Sequence, residues 1–154
     1  MLFLVAAIAS HPLERKRFAL HPELKLSIVS RPLEPGKAVM VCVMAWAVPG
    51  AGHLWLGRLS KGCIFLVALS AMFSTGLMLE GELFSIEPSQ PLVALAALAD
   101  LGIGAPYFIA QMFGFGVGRV VATTYEYGNS FLIVSGLLNM LVVLDVFDLA
   151  LGRK

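Results

Sequence analysis

A chain of 154 residues that is 58% hydrophobic and only 14% charged does not have the composition of a soluble domain, where about 25% of residues are charged. Its mean hydropathy of +0.86 belongs with helical membrane proteins, and a net charge of +1 excludes the basic field that nucleic-acid binding requires. The two cysteines, Cys42 and Cys63, lie in or beside apolar runs without Cys-x-x-Cys or Cys/His spacing, which reads as two small buried hydrophobes rather than a zinc site or a disulfide.

Residues 1–37 form a first region. Met1 to Ser10 is apolar, but ten residues of helix reach about 15 Å, half of a hydrocarbon core of about 30 Å. No basic residue precedes this run, so a packed or interfacial segment is expected in preference to a cleaved signal. His11 to Lys37 is punctuated by Pro12, Pro22, Pro32 and Pro35, which forbid one long helix. Its six basic residues, Arg15, Lys16, Arg17, Lys25, Arg31 and Lys37, read as a topological anchor on a cytoplasmic or interfacial segment.

Residues 38–154 read as a helical transmembrane domain. Ala38 to Gly57 carries no formal charge over twenty residues, the length of a span, but Pro49 and Gly50 interrupt it. The expectation is a span kinked at the proline, with a re-entrant half-helix as the alternative. Gly62 to Leu79 is a second uncharged run, followed by an acidic, proline-containing loop with Glu80, Glu82 and Glu87. Leu92 to Gly118 is apolar apart from Asp100 and Gln111, with Gly114 and Gly118 in a small-xxx-small helix-packing pattern. Asn129 to Leu151 is the last run, closed by Gly152-Arg153-Lys154. The expected fold is therefore all-α and polytopic, with about four transmembrane helices over 38–57, 62–79, 92–118 and 129–151.

With four spans, both termini share a side that collects eight basic residues, against Arg58, Lys61 and Arg119 opposite. The positive-inside rule then puts the termini in the cytoplasm, in a cytoplasmic (inner) membrane. A re-entrant first segment would change the parity.

Few residues could carry chemistry. His53 is the one histidine beside an apolar run; a neutral imidazole there could ligate haem iron or a chlorin magnesium, or hydrogen-bond in an interfacial belt with Trp46 and Trp55. Asp100 lies well inside an apolar run, where an ionised carboxylate costs about 2.5–3.5 kcal/mol, so it is expected to face other helices as either structural glue or a functional carrier. Asp145 and Asp148 share a helix face, with Asn139 on approximately the same side. They could hold a cation, or pair with Arg153 and Lys154; in a four-span topology Arg58 and Lys61 lie on the opposite side. No nucleophile set, P-loop or metal motif is present, and no cofactor is required by the sequence.

The stretch Pro49-Gly50-Ala51-Gly52-His53-Leu54-Trp55-Leu56-Gly57-Arg58, followed by Lys61-Gly62, resembles the hinge of an uncharacterised family of bacterial multi-span membrane proteins. It is also similar, more distantly, to the two-transmembrane-helix domain family. The resemblance runs from about Gly36 to Lys154 and includes the tail from Gly128 through Asn139 and Asp145. It implies a helical membrane fold, hinge roles for Pro49, Gly50, Gly52 and Gly57, and no catalytic residue. The functional expectation is a non-enzymatic small subunit or assembly factor of a larger membrane complex, partnered by the bilayer and by other membrane proteins, with a respiratory or photosynthetic complex as one such setting. A transport or proton-conducting module using Asp100 is the alternative, and a haem or chlorin binder using His53 a third.

Overall fold

The computed structural model describes residues 33–153; the apolar decapeptide and the basic cluster of the N-terminal segment lie outside the described residues. Among the described residues six helices follow one another: α1 (Pro35–Ala47), α2 (Ala51–Trp55), α3 (Leu59–Met78), α4 (Pro91–Leu101), α5 (Ala105–Met112) and α6 (Tyr125–Ala150). The only β contact among the described residues is an isolated bridge between Glu82 and Val117. The polytopic helical fold expected from the sequence is present.

α6 packs against α1, α2, α3 and α4, and serves as a ruler for the rest. The described residues begin at its C-terminal end, where Leu33 N donates to Ala150 O at 2.8 Å. α1 then runs antiparallel to α6 until the Trp46 carbonyl meets Asn139. There it stops. Pro49 forces its predecessor out of the helical region, and Val48 sits at φ −128, ψ 112. Gly50 follows at φ 82, a left-handed conformation that reverses the chain. α2 heads back: Gly52 packs on Ala45 and Val146, and His53 reaches Asp145. The helix therefore does not pass through a proline kink as the sequence suggested. It forms a hairpin that enters halfway and returns to the end it came from.

The segment expected as a span over 92–118 does the same from the opposite end. The loop after α3 is tied to the N-terminal end of α6 by Glu82 N, which donates to Asn129 Oδ1 at 2.7 Å. α4 descends from there until Gly102 O meets Asn139. Gly104, at φ 82, turns the chain, and α5 leaves at 106° to α4, with Pro106 in its first turn, where a proline is compatible with a helix. It climbs back to the loop, where Leu83 N donates to Gly116 O at 2.8 Å.

Among the described residues two helices, α3 and α6, are long and apolar enough to cross a bilayer, and α4 with α5 makes a third candidate only if the bent pair is counted as one span. In place of four continuous spans, the fold has two long helices and two opposed hairpins. Asn139 lies ten residues from both Asn129 and Leu149, about 15 Å of helix each way, so the hairpin tips meet midway along a stretch of α6 as long as a hydrocarbon core of about 30 Å is thick. The element order also repeats in inverted sense. Residues 35–78 and 91–150 each contain a half-helix, a left-handed glycine, a short returning helix and a long one. Both returning helices close on the same cap. Arg58 N donates to His53 O with Gly57 N on Leu54 O, and Phe115 N donates to Ala110 O with Gly114 N on Gln111 O.

Candidate functional site

Half-helices that end inside a bilayer leave C-terminal carbonyls with no helical partner and no water to replace it. The structure answers this with side chains. Asn139 is fully buried on α6, and its Nδ2 donates to Trp46 O at 3.1 Å and to Gly102 O at 2.9 Å, one carbonyl from each hairpin. Trp46 Nε1 donates across the junction to Leu101 O at 3.2 Å. Asn139 Oδ1 is buried without a protein partner. The junction is close-packed. A methyl group on Gly104 would overlap the Trp46 carbonyl oxygen, and one on Gly136 would overlap Ala99 O.

Asp100 is 1% exposed, one turn before the break in α4. Its Oδ2 accepts Phe84 N at 3.1 Å, while Tyr107 on α5 donates to Phe84 O at 3.1 Å and accepts Gln111 Nε2 at 2.8 Å. Both arms of the second hairpin thus grip the loop at Phe84. Asp100 Oδ1 has no hydrogen-bond partner.

His53 is fully buried on α2, its ring 5.1 Å from that of Phe65, and its Nε2 lies 3.0 Å from Asp145 Oδ2. Nδ1 is enclosed as well. A macrocycle would find neither nitrogen accessible, which removes the basis for His53 as an axial ligand to haem or chlorin. The pair also corrects the four-span layout: the hinge, with Arg58 and Lys61, lies at the same end of α6 as Asp145 and Asp148. Asp148 pairs with Arg153 at 3.8 Å, as expected for the helix end.

Gly114 and Gly118 do not form a helix-packing face. α5 ends at Met112, and both glycines adopt left-handed backbone, φ 73 and φ 72, in the connection that follows. Gly118 packs instead on Glu82 and Tyr125. The residues read from the sequence as intramembrane polar groups therefore separate into three places: Asn139 at the hairpin tips, Asp100 within the second hairpin, and Asp145 with Asp148 towards the far end. Trp46, Asn129 and Tyr107 complete the anchoring set. Their signal was weak, because a tryptophan or tyrosine in a predicted span reads first as packing or interfacial surface and an asparagine at a span end as interfacial. No group of three metal-ligating side chains occurs among the described residues.

Beside the junction, an apolar groove of about 840 Å³ runs between α4 and α6. Leu92, Leu95 and Leu98 rim it, Ala96, Ala99 and Gly102 floor one side, and Leu137 and Met140 face them.

These features define a polytopic α-helical membrane protein in which two hairpins, entering from opposite ends, are joined through a buried asparagine. Residues 40–154 match a family of unknown function, DUF6677, and the chain belongs to it. No curated protein and no solved structure matches the chain.

Proposed function

We propose that this protein is a non-enzymatic integral membrane subunit or stabilising factor that packs against another membrane protein through the groove between α4 and α6. The observation that carries this reading is the division of labour in the membrane-embedded part. Asn139 directs its contacts to the backbone of both hairpins and Asp100 its contact to the loop backbone at Phe84, while the large groove is lined by apolar side chains. A transport role would draw on the same two residues, whose contacts go to peptide groups. The groove suits a helix because its rim is apolar and its floor is low: Ala96, Ala99 and Gly102 are small, the last two packed on Gly136 of α6, and close apolar packing is what holds helices together in lipid. A photo-crosslinking amino acid at Leu95 or Leu98, both exposed on the rim, is expected to give one discrete protein adduct in native membranes, and none from Val67 on α3. Adducts to lipid alone from all three positions would remove the proposal.

We also propose a cytoplasmic-membrane location, with the end that carries Lys37, Arg58, Lys61 and Arg153 in the cytoplasm and the end that carries Glu80, Glu82, Glu87 and Glu126 outside, following the excess of basic residues. Single cysteines in a Cys42→Ala, Cys63→Ala background test it. Ser60→Cys and Gly152→Cys are expected to label from the cytoplasmic side, and Ser89→Cys and Thr123→Cys from the other. Labelling of Ser60→Cys and Gly152→Cys from opposite sides would restore four spans.

A further inference from the structure

The connection from α5 to α6 carries an exposed apolar surface that neither the hairpin junction nor the groove between α4 and α6 uses. Residues 113–118 read Phe-Gly-Phe-Gly-Val-Gly, and the three glycines take left-handed backbone, φ 73, 76 and 72. Two of them face inward: Gly116 packs on Leu83, and Gly118 on Glu82 and Tyr125. Phe113, Phe115 and Val117 stay outside, 71%, 61% and 78% exposed, and Val120 and Val121 follow at 75% and 91%. The backbone that presents them is fixed. Phe115 N donates to Ala110 O and Leu83 N to Gly116 O, both at 2.8 Å, and Arg119 N donates to Glu80 O at 3.1 Å. A strap tied at three points thus holds contiguous apolar side chains away from the protein, an arrangement that marks an interaction surface.

The depth of the strap is read on α6. Val117 bridges to Glu82, and Glu82 N binds Asn129 Oδ1, ten residues or about 15 Å of helix from Asn139. A hydrocarbon core of about 30 Å centred on the hairpin tips ends at that level. Tyr127, exposed in the first turn of α6, stands there too, where a ring with an apolar body and a polar tip is favoured. Irregular backbone does not occur in lipid-exposed hydrocarbon, but backbone at its boundary meets water while its side chains reach inward. The one charge in residues 112–125 is Arg119, which pairs with Glu80 at 3.6 Å. Ile109 and Met112, exposed on α5, continue the apolar surface towards the hairpin tip. A soluble partner seated on the strap would leave that continuation bare, whereas lipid covers both.

We propose that residues 113–121 are a lipid-docking strap. It lies along the boundary between headgroups and acyl chains in the leaflet at the N-terminal end of α6, with Phe113, Phe115, Val117 and Val121 among the upper segments of the chains. The proposal is independent of the partner-binding groove.

The test places nitroxide labels at Phe115→Cys, Val117→Cys and Val121→Cys, one at a time, in the full chain with Cys42→Ala and Cys63→Ala. Each protein is reconstituted in vesicles of phosphatidylethanolamine and phosphatidylglycerol. Collisions with oxygen, which concentrates among acyl chains, are compared with collisions with a neutral nickel chelate, which stays in water. The oxygen-to-nickel ratio is expected to be several-fold higher at all three positions than at Ser89→Cys, on the exposed loop at the same end. A ratio at Val117 and Val121 no higher than at Ser89 would put the strap in water and overturn the proposal. Shielding of these positions from both reagents would also overturn it, because cover by protein, a second copy included, excludes oxygen and nickel alike. If Phe115→Cys does not fold, the two more exposed positions, Val117 and Val121, decide.

Discussion

Replacing Asn139 by leucine should lower stability by about 2 kcal/mol and loosen both hairpins together. The side chains are similar in size, so the change removes hydrogen bonds with little change of volume. Two carbonyls, Trp46 O and Gly102 O, lose the amide that now serves both. In water such a loss is softened by solvent; in a hydrocarbon core no replacement donor exists. Membrane-protein hydrogen bonds average well below the value expected from that argument, at about 0.6 kcal/mol, because the unfolded state in lipid also finds partners. Here one side chain holds two backbones that cannot satisfy themselves, which favours a figure above that average. Titration with a denaturing detergent, followed by circular dichroism, measures the effect. Cysteine accessibility at Val48 and at Ile103 reports the two hairpins separately. An increase at one position alone would show that the asparagine is not shared.

Gly104→Ala should be more damaging, by more than about 3 kcal/mol, and should reduce the yield of folded protein severely. Two costs combine. At φ 82, ψ −131, the backbone at Gly104 lies in a region that residues with a Cβ avoid. The added methyl would also overlap the carbonyl oxygen of Trp46, a backbone atom that cannot rotate away. Gly36→Ala, with open space around it at the start of α1, is the control and should leave the melting temperature unchanged within error. Thermal melts of the solubilised protein, read by size-exclusion chromatography, compare the two. A Gly104→Ala protein as stable as the control would mean that the hairpin tips do not touch.

Much of the fold was visible in the residues. Hydropathy identified the membrane class, and Pro49-Gly50 marked a break because a proline without an N–H and a glycine free to adopt positive φ end a helix by local rules. Asp100 was expected to face inward on cost alone, and it does. Re-entry was less legible. Twenty uncharged residues over 38–57 match the length of a span, yet hydropathy measures length and polarity without direction. The reversal at Gly104 rests on a contact with Trp46, and Asn139 joins positions 93 and 37 residues away from it in sequence. The pairing of His53 with Asp145, 92 residues apart, followed once the first hairpin returned to its own end. Gly114 and Gly118 show the converse. Their spacing suits a helix face, but it carries information only if the residues are helical, and α5 ended two residues earlier.

The position of Asn139 also bears on how the chain is made. Synthesis proceeds from the N-terminus, and the first hairpin leaves the ribosome long before the helix that caps it. Until α6 is in place, the Trp46 carbonyl has no amide, and α1 and α2 lack their main packing surface. The last of the described helices to be synthesised is thus the one on which the earlier elements close, and a nascent chain halted before Asn139 carries both hairpins and α3 without the clasp that would join them.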